Sequence, residues 1–367
     1  MREALIIAGE ASGDLHAAAL AEAWQPLLRD TKLTGVGGAR MRAAGVELIE
    51  ELHGVVGFAE VIRHIPAHAR LLGRIKERLR GGSVGLIVLV DYPGFNMRVA
   101  AAAKAAGVPV LYYITPQVWA WRRGRLRTMA DVITRAAVIL PFEEAMLREA
   151  GINATFVGHP LLDRARSLPT RGDARRRLGL REDAPVLALF PGSRPQEIAR
   201  HWDRCAVVAD MLQRRRPGLQ VVVSAAPTVA PGRFAGFHVV PNASFEVFAA
   251  ADAALCKSGT TTLESAVAGC PSVIVYRTST LSYQIARRLV RVDHIGLLNI
   301  VAGKRVAPEF VQHEFEPAAV ADALDPLLDR TAPARTGMLA ELARIRTLLG
   351  EPGASARVAA MANSMIR

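Results

Sequence analysis

Short apolar runs recur along the chain at strand length, and stretches with helical texture separate them. Leu5-Ile6-Ile7-Ala8 is the first, and further runs fall at about 33–36, 84–90, 108–114, 132–139 and 154–157. Several are near-continuous rather than alternating, which is the pattern of strands covered on both faces. The segments between them, such as GFNMRVAAAAKAAG ending at Gly107, have helical composition and a glycine where a helix stops. Alternating strand and helix predicts an α/β architecture with a parallel sheet. The same grammar restarts at VLALFPGSRPQEIARHW, with strands following at about 219–224, 237–240, 253–255 and 272–276. The expectation is two doubly wound domains in tandem, with ligands at the carboxyl ends of the strands that face a cleft.

The boundaries follow from texture. Residues 1–165 form the first predicted domain and 166–340 the second, with the polar, basic stretch 159–185 read as a linker and the approach to the second. The tail from 316 to 365 is helical and punctuated by Pro317, Pro326, Pro333 and Pro352. Its end, 341–367, is read as a C-terminal helix. Residues 53–82 interleave apolar positions, among them Val56, Phe58, Val61, Ile62, Ile65 and Leu72, with Arg63, Arg70, Arg74, Lys76, Arg78 and Arg80. Periodicity alone favours an ordinary crossover helix. The alternative is an interfacial surface, apolar face down with a basic rim toward anionic head groups.

Composition narrows the classes. The 367 residues exceed one typical core, and 51% hydrophobic residues can fill two. No apolar run approaches the roughly 20 residues of a spanning helix. The N-terminus, one arginine and a short apolar stretch followed by acids, does not read as a secretory signal. Cys205, Cys256 and Cys270 form no CxxC pair, which favours a reducing compartment, the cytoplasm by default, without a zinc site. The net charge of +12 favours an anionic partner: phosphorylated substrates, a membrane surface or nucleic acid. No RNA-binding or DNA-docking motif accompanies the charge, so nucleic acid is not expected.

Candidate chemistry gathers at strand ends. In CKSGTTTLE, Ser258, Gly259, Thr260 and Thr261 open a helix beside Lys257. Free backbone N–H groups, hydroxyls and the positive helix end make a seat for a diphosphate, and Glu264 lies a turn further on, within reach of a ribose. A well-capped helix is the structural alternative. In FPGSRPQEI, Gly192 and Ser193 allow a tight turn, and Arg194 either binds a leaving diphosphate or pairs with Glu197. Asp91 ends an apolar strand, where an unpaired carboxylate is costly; it is read as a general base or a helix N-cap. Trp119 and Trp121 sit beside several arginines, suiting sugar or phosphate recognition or else a packing corner. His159 is given no catalytic role. Asn299, Glu309 and Gln312 are expected on a loop followed by a short helix, as a polar wall. The first turn, Gly9-Glu10-Ala11-Ser12-Gly13, carries Glu10 and is followed by Asp14, two anions where a phosphate would want none, and its glycine spacing fits neither the dinucleotide fingerprint nor the Walker loop. No D-x-D occurs, and no metal or other cofactor is expected.

Seven stretches in order, AGEASGDLHAA, DYPGFN, TPQVWAWRRGR, VGHPLLD, PGSRPQEI, KSGTTTLE and NIVAGKRVAPEFVQ, resemble the lipid-A-disaccharide synthase family over most of the chain. That resemblance implies a GT-B fold of two facing Rossmann-like domains, with the last helix, 341–367, packing back on the first, and a metal-independent, inverting hexosyltransferase. Its donor would be UDP-2,3-diacylglucosamine and its acceptor 2,3-diacylglucosamine 1-phosphate, at the cytoplasmic face of the inner membrane. It implies Asp91 as base, Arg194 at the donor diphosphate, and Gly192, Ser193, Lys257, Ser258, Gly259, Thr260, Thr261, Glu264, Asn299, Glu309 and Gln312 around UDP. Glu10, Ser12, Gly13 and Trp119 fall on the acceptor side. A lipid substrate also gives weight to Val56, Phe58, Val61, Ile62, Ile65 and Leu72 as membrane-facing. Two alternatives remain: another UDP-sugar enzyme of this fold, such as a UDP-N-acetylglucosamine transferase or 2-epimerase, and a basic nucleic-acid-binding protein. An oligomer is left open.

Overall fold

The computed structural model of the chain describes residues 2–51, 65–119, 124–226, 229–280, 283–284 and 293–366. It divides into two compact units, one of Met1–Pro160 with Gly350–Arg367 and one of Leu161–Leu349.

The first unit is built on a parallel sheet of seven strands: β1 (Arg2–Ala8), β2 (Thr31–Gly37), β3 (Glu47–Glu51), β4 (Val84–Val90), β5 (Val110–Tyr113), β6 (Arg135–Val138) and β7 (Ala154–Phe156). Their order is β3-β2-β1-β4-β5-β6-β7. The strand order reverses between β1 and β4, so the loops after these strands open side by side, the usual place for a ligand in a doubly wound sheet. Both strands are almost wholly apolar because both faces are covered. Leu5, Ile7, Ile87 and Leu89 join the layer that packs helices Ile65–Arg80 and Pro93–Ala105. Ala4, Ile6, Ala8, Leu86, Val88 and Val90 join the other, with helices Ala11–Trp24 and Ala354–Met365.

The second unit repeats the plan with β8 (Val186–Phe190), β9 (Gln220–Ala225), β10 (His238–Pro241), β11 (Ala253–Lys257), β12 (Ser272–Tyr276) and β13 (Glu309–Val311), ordered β10-β9-β8-β11-β12-β13. Its reversal lies between β8 and β11. The turn Pro191–Arg194 therefore opens beside Lys257–Thr260.

Several expectations change. The apolar stripe of helix Ile65–Arg80, formed by Leu71, Ile75 and Leu79, is buried in the sheet layer, and Leu72 packs half-buried against it. This stretch is a crossover helix, and Leu72 is part of its packing rather than a membrane-facing side chain. Val56, Phe58, Val61 and Ile62, and the side chain of Ile65, lie outside the described residues. The stretch 159–185, read as a linker and the approach to the second domain, carries helices Leu161–Arg164 and Arg171–Arg177 inside the second unit. Its arginines work internally: buried Arg175 donates to the carbonyls of Ala184 and Ala250 and to the Asp252 carboxylate. The stretch 297–315, expected as a loop and then a short helix, runs as a helix, Leu297–Ala302, then strand β13, then a single helical turn at Gln312–Glu314. The chain re-enters the first unit at Gly350, where Val358, Ala359 and Ala362 pack into the layer holding Trp24.

Candidate functional site

In the first unit, β1 ends at Ala8 and the helix begins at Ala11, inside the stretch Gly9–Gly13 that the sequence presents as a turn. Ser12 is therefore an exposed helical residue and Gly13 a buried one, while Glu10 is the exposed N-cap position. The two anions of this turn part company. The Asp14 carboxylate accepts the backbone N–H groups of Gly38 (2.7 Å), Arg40 and Met41 (both 3.2 Å), tying the first helix to the turn after β2. Glu10 instead lies near enough to Asp91 to act on its charge.

Asp91 follows the last residue of β4, and both it and Tyr92 adopt the left-handed backbone, with φ of +49° and +51°. Side chains disfavour that region by about 1 kcal/mol each, so the surroundings must enforce it. The Asp91 N–H donates to the Tyr113 carbonyl at 3.1 Å. The Asp91 carbonyl accepts from Asn96 Nδ2 at 2.7 Å and from Tyr112 Oη at 2.8 Å. Helix Pro93–Ala105 has Tyr92 at its N-cap with no side-chain cap hydrogen bond, so Asp91 is not the N-cap of that helix. Burial first, and then the Glu10 charge, push the Asp91 carboxyl up to about 6 against a bond from the Tyr92 N–H. Burial also raises the Tyr112 hydroxyl well above its ordinary value, which keeps it a donor.

Trp119 is buried, and its indole N–H donates to Glu143 at 3.0 Å while its ring meets Phe142 edge-on. That geometry favours the packing corner over a sugar-binding face; Trp121 lies outside the described residues. Burial pushes Glu143 up to about 7. His159 is buried too, and burial with the neighbouring His16 holds it down at about 3, neutral at physiological pH.

In the second unit, one residue that the sequence named only as a pairing partner organises the turn after β8. Glu197, in the first turn of helix Pro195–Arg215, accepts Lys257 Nζ at 2.8 Å and the Ser193 N–H at 3.0 Å, with Arg194 Nη1 at 3.9 Å. Lys257 holds its carboxyl below the ordinary range despite burial. A side chain at Gly192 (φ +136°) would strike the Glu197 Cβ at 2.8 Å, so glycine is what lets the turn close on this carboxylate. Across the strand reversal, Gly259 is the N-cap of helix Thr260–Ala268. Thr260 is exposed and Thr261 half-buried, at the helix end where N–H groups are free of intrahelical partners.

The remaining polar residues sort by what their atoms are doing. Asn299 is fully buried: Oδ1 accepts from the Val306 and Ala307 N–H groups, and Nδ2 donates to the Ala307 carbonyl and to Glu309. Glu309 accepts the Ile295 and Gly296 N–H groups, and Ser258 Oγ donates to the Ile295 carbonyl at 2.7 Å. Gln312 exchanges two bonds with the Thr278 backbone. These amides and carboxylates are spent on the chain, so they shape the strand-end loops rather than stand free as a polar wall. Glu264 is held by Arg164 at 3.1 Å, and the Arg164 guanidinium lies over the Phe245 ring. Arg164, Tyr112 and Asn96 were not singled out from the sequence. The buried asparagine two residues after DYPG was the available signal, because a polar side chain amid alanines and valines on a packed helix needs a partner.

Among the described residues no group of three His, Cys, Asp or Glu side chains is arranged to hold a metal ion. No helix among them is long and apolar enough to cross a membrane.

The arrangement can be set beside known proteins. Residues 4–357 match the family model described as lipid-A-disaccharide synthetase. A lipid-A-disaccharide synthase of Syntrophus aciditrophicus is 42% identical over 374 residues, covering 99% of this chain and 97% of the relative. One from Myxococcus xanthus is 43% identical over 365 residues, covering 97% and 95%. Among solved structures, the calicheamicin glycosyltransferase CalG4 superposes with a TM-score of 0.65 at 18% identity over 100% of this chain and 98% of that one. A UDP-GlcNAc 2-epimerase from Neisseria meningitidis bound to UDP-GlcNAc gives 0.65 at 10% identity, covering 98% and 99%. Those two likenesses speak for the fold, that of GT-B glycosyltransferases and epimerases. The sequence matches speak for more, and by them the chain belongs to the lipid-A-disaccharide synthase family of hexosyltransferases.

Proposed function

We propose that the chain transfers the sugar of UDP-2,3-diacylglucosamine to the 6-hydroxyl of 2,3-diacylglucosamine 1-phosphate, with Asp91 as the base. The acceptor oxygen attacks the anomeric carbon from the face opposite UDP while Asp91 takes its proton. Configuration inverts, and a single carboxylate suffices. UDP leaves with the bonding electron pair, and the product is the β-1,6 disaccharide 1-phosphate. The observation that carries the reading is the Asp91 carboxyl itself: half-buried at a strand end beside Glu10, and poised at about 6, ionised at neutral pH yet basic enough to accept a proton.

The second unit takes the donor in this reading. Ser258, Gly259, Thr260 and Thr261 at the helix start receive the diphosphate, with Lys257, Arg194 and the Gly192–Ser193 turn beside it. Lys257 now neutralises Glu197, and it shifts part of that interaction to the diphosphate when donor binds. Glu264, oriented by Arg164, accepts from the ribose. Asn299, Glu309 and Gln312 act by holding the backbone around the seat. On the acceptor side Glu10 and Ser12 meet sugar hydroxyls, Gly13 permits close helix packing, and Trp119 belongs to the supporting scaffold.

Both substrates carry acyl chains, so the reading also has the protein dock on the cytoplasmic face of the inner membrane. Val56, Phe58, Val61, Ile62 and Ile65 would meet the acyl region. Arg70, Lys76 and Arg80, exposed on helix Ile65–Arg80, support attraction to anionic head groups. The test is incubation with both diacyl sugars: disaccharide and UDP are expected together. Altered UDP-sugar with no disaccharide would indicate an epimerase instead.

A further inference from the structure

The loop that carries Asp91 is held by a contact that reaches it from a different element. Tyr92 Oη and His68 Nε2 lie 2.7 Å apart, within hydrogen-bonding distance, and His68 sits one turn into helix Ile65–Arg80. The three rings of His68, Tyr92 and Phe95 pack on one another, with centroids 5.5–6.1 Å apart. On its other side the Tyr92 ring lies directly over Gly9: a Cβ built there would fall 2.1 Å from Tyr92 Cδ1. Tyr92 is thus clamped between the turn after β1 and a crossover helix, in the left-handed conformation it shares with Asp91.

We propose that Tyr92, fixed by His68 and seated on Gly9, is a positioning residue that holds the Asp91 carboxylate at its working place. This rests on the assignment of Asp91 as base. The side-chain bonds from Asn96 and Tyr112 fix the Asp91 carbonyl, and the Asn96 N–H holds the Tyr92 carbonyl at 3.1 Å, but none of these bonds fixes the Tyr92 ring. The Tyr92 N–H is the backbone donor to the Asp91 carboxylate, so rotation at Tyr92 would move that donor and open the carboxylate to water. Burial and Glu10 keep the Tyr92 hydroxyl protonated, and hence available to His68 at any working pH. The groups facing this assembly are Glu10 from the helix N-cap, Tyr112 from β5, Arg125 acting on Tyr112, and His68. Among the described residues, His68 is the one that bonds the Tyr92 hydroxyl.

The test is Tyr92→Phe in the full chain, assayed for disaccharide formation over pH, with His68→Ala and His68→Gln alongside. The expected result is a fall in kcat of about tenfold with the KM for donor unchanged, in both Tyr92→Phe and His68→Ala. The acid limb of the pH profile moves to lower pH as water reaches Asp91. His68→Gln, which can still hydrogen-bond the hydroxyl, restores most of the activity, and the double variant loses no more than either single one. A role confined to stability would lower Tm without moving the limb, and that result overturns the proposal, as does full activity in Tyr92→Phe. If Asp91→Asn is inactive while Tyr92→Phe is normal, only this inference falls. If Asp91→Asn is fully active, the assignment of the base falls with it.

Discussion

Asp91 and Glu10 illustrate how one carboxylate is given its role by another. Burial raises the Asp91 pKa, and the Glu10 charge adds to it. The sign of the resulting pH dependence is fixed. A base acts in its ionised form, so with a pKa of about 6 activity is present above that value and is lost as pH falls through it. A kcat/KM profile should show an acid limb with its midpoint near 6. Replacing Glu10 with Gln removes the neighbouring negative charge and should move that limb downward; a limb that stays in place or rises would contradict the pairing. At this scale the sequence disclosed Asp91, because a lone aspartate ending Leu-Ile-Val-Leu-Val is conspicuous. It did not separate the tasks of Glu10 and Asp14. Those depend on Gly38, Arg40 and Met41, residues 24 to 27 positions away that only the fold brings near.

Among the elements, the segment from Ile295 to Val311 shows how buried polar groups build a strand-end loop. Asn299 satisfies both of its oxygen lone pairs and both amide hydrogens internally, and Glu309 takes the Ile295 and Gly296 N–H groups against the seat of Ser258. Asn299→Ala would leave several of these buried groups unpaired, at a cost of about 3 kcal/mol, and should lower Tm by about 5–10 °C. UDP binding, measured by calorimetry, should weaken as Ile295 releases Ser258. Unchanged Tm and unchanged UDP affinity would show that the network holds nothing together. The central strands were legible because burial on both faces writes an apolar run into the sequence. β3 and β13 were not: β3 is an edge strand of Glu-Leu-Ile-Glu-Glu, half polar because its side chains are only partly covered, and β13 is three residues long. The arginine-rich stretch 159–185 read as a linker because composition does not reveal that Asp252 waits in the core to receive Arg175.

Over the whole molecule, the doubly wound α/β plan was readable from the restart of the strand–turn–helix grammar at Val186, whereas nothing in the texture of the helical tail marks the return of the chain to its first unit at Gly350. The charge of +12 was readable as a number but not as a destination. Part of it is consumed inside the fold, where Arg171, Arg175 and Arg330 share Asp252. The exposed Arg70, Lys76 and Arg80 remain for a surface, and with Phe58 and Val61 they lead to a prediction for membrane binding. Co-sedimentation with anionic vesicles should fall when Phe58 and Val61 become Ser, and should weaken with added salt in the unaltered protein. Equal binding by the double variant would remove the docking part of the account. The central claim, a hexosyl transfer run by one aspartate, is tested most directly by the amount of disaccharide formed from the two diacyl sugars by the unaltered protein and by Asp91→Asn. The account predicts disaccharide with one UDP released per linkage from the former, and a loss of about 10²–10⁴-fold in the latter; undiminished disaccharide from Asp91→Asn would contradict it.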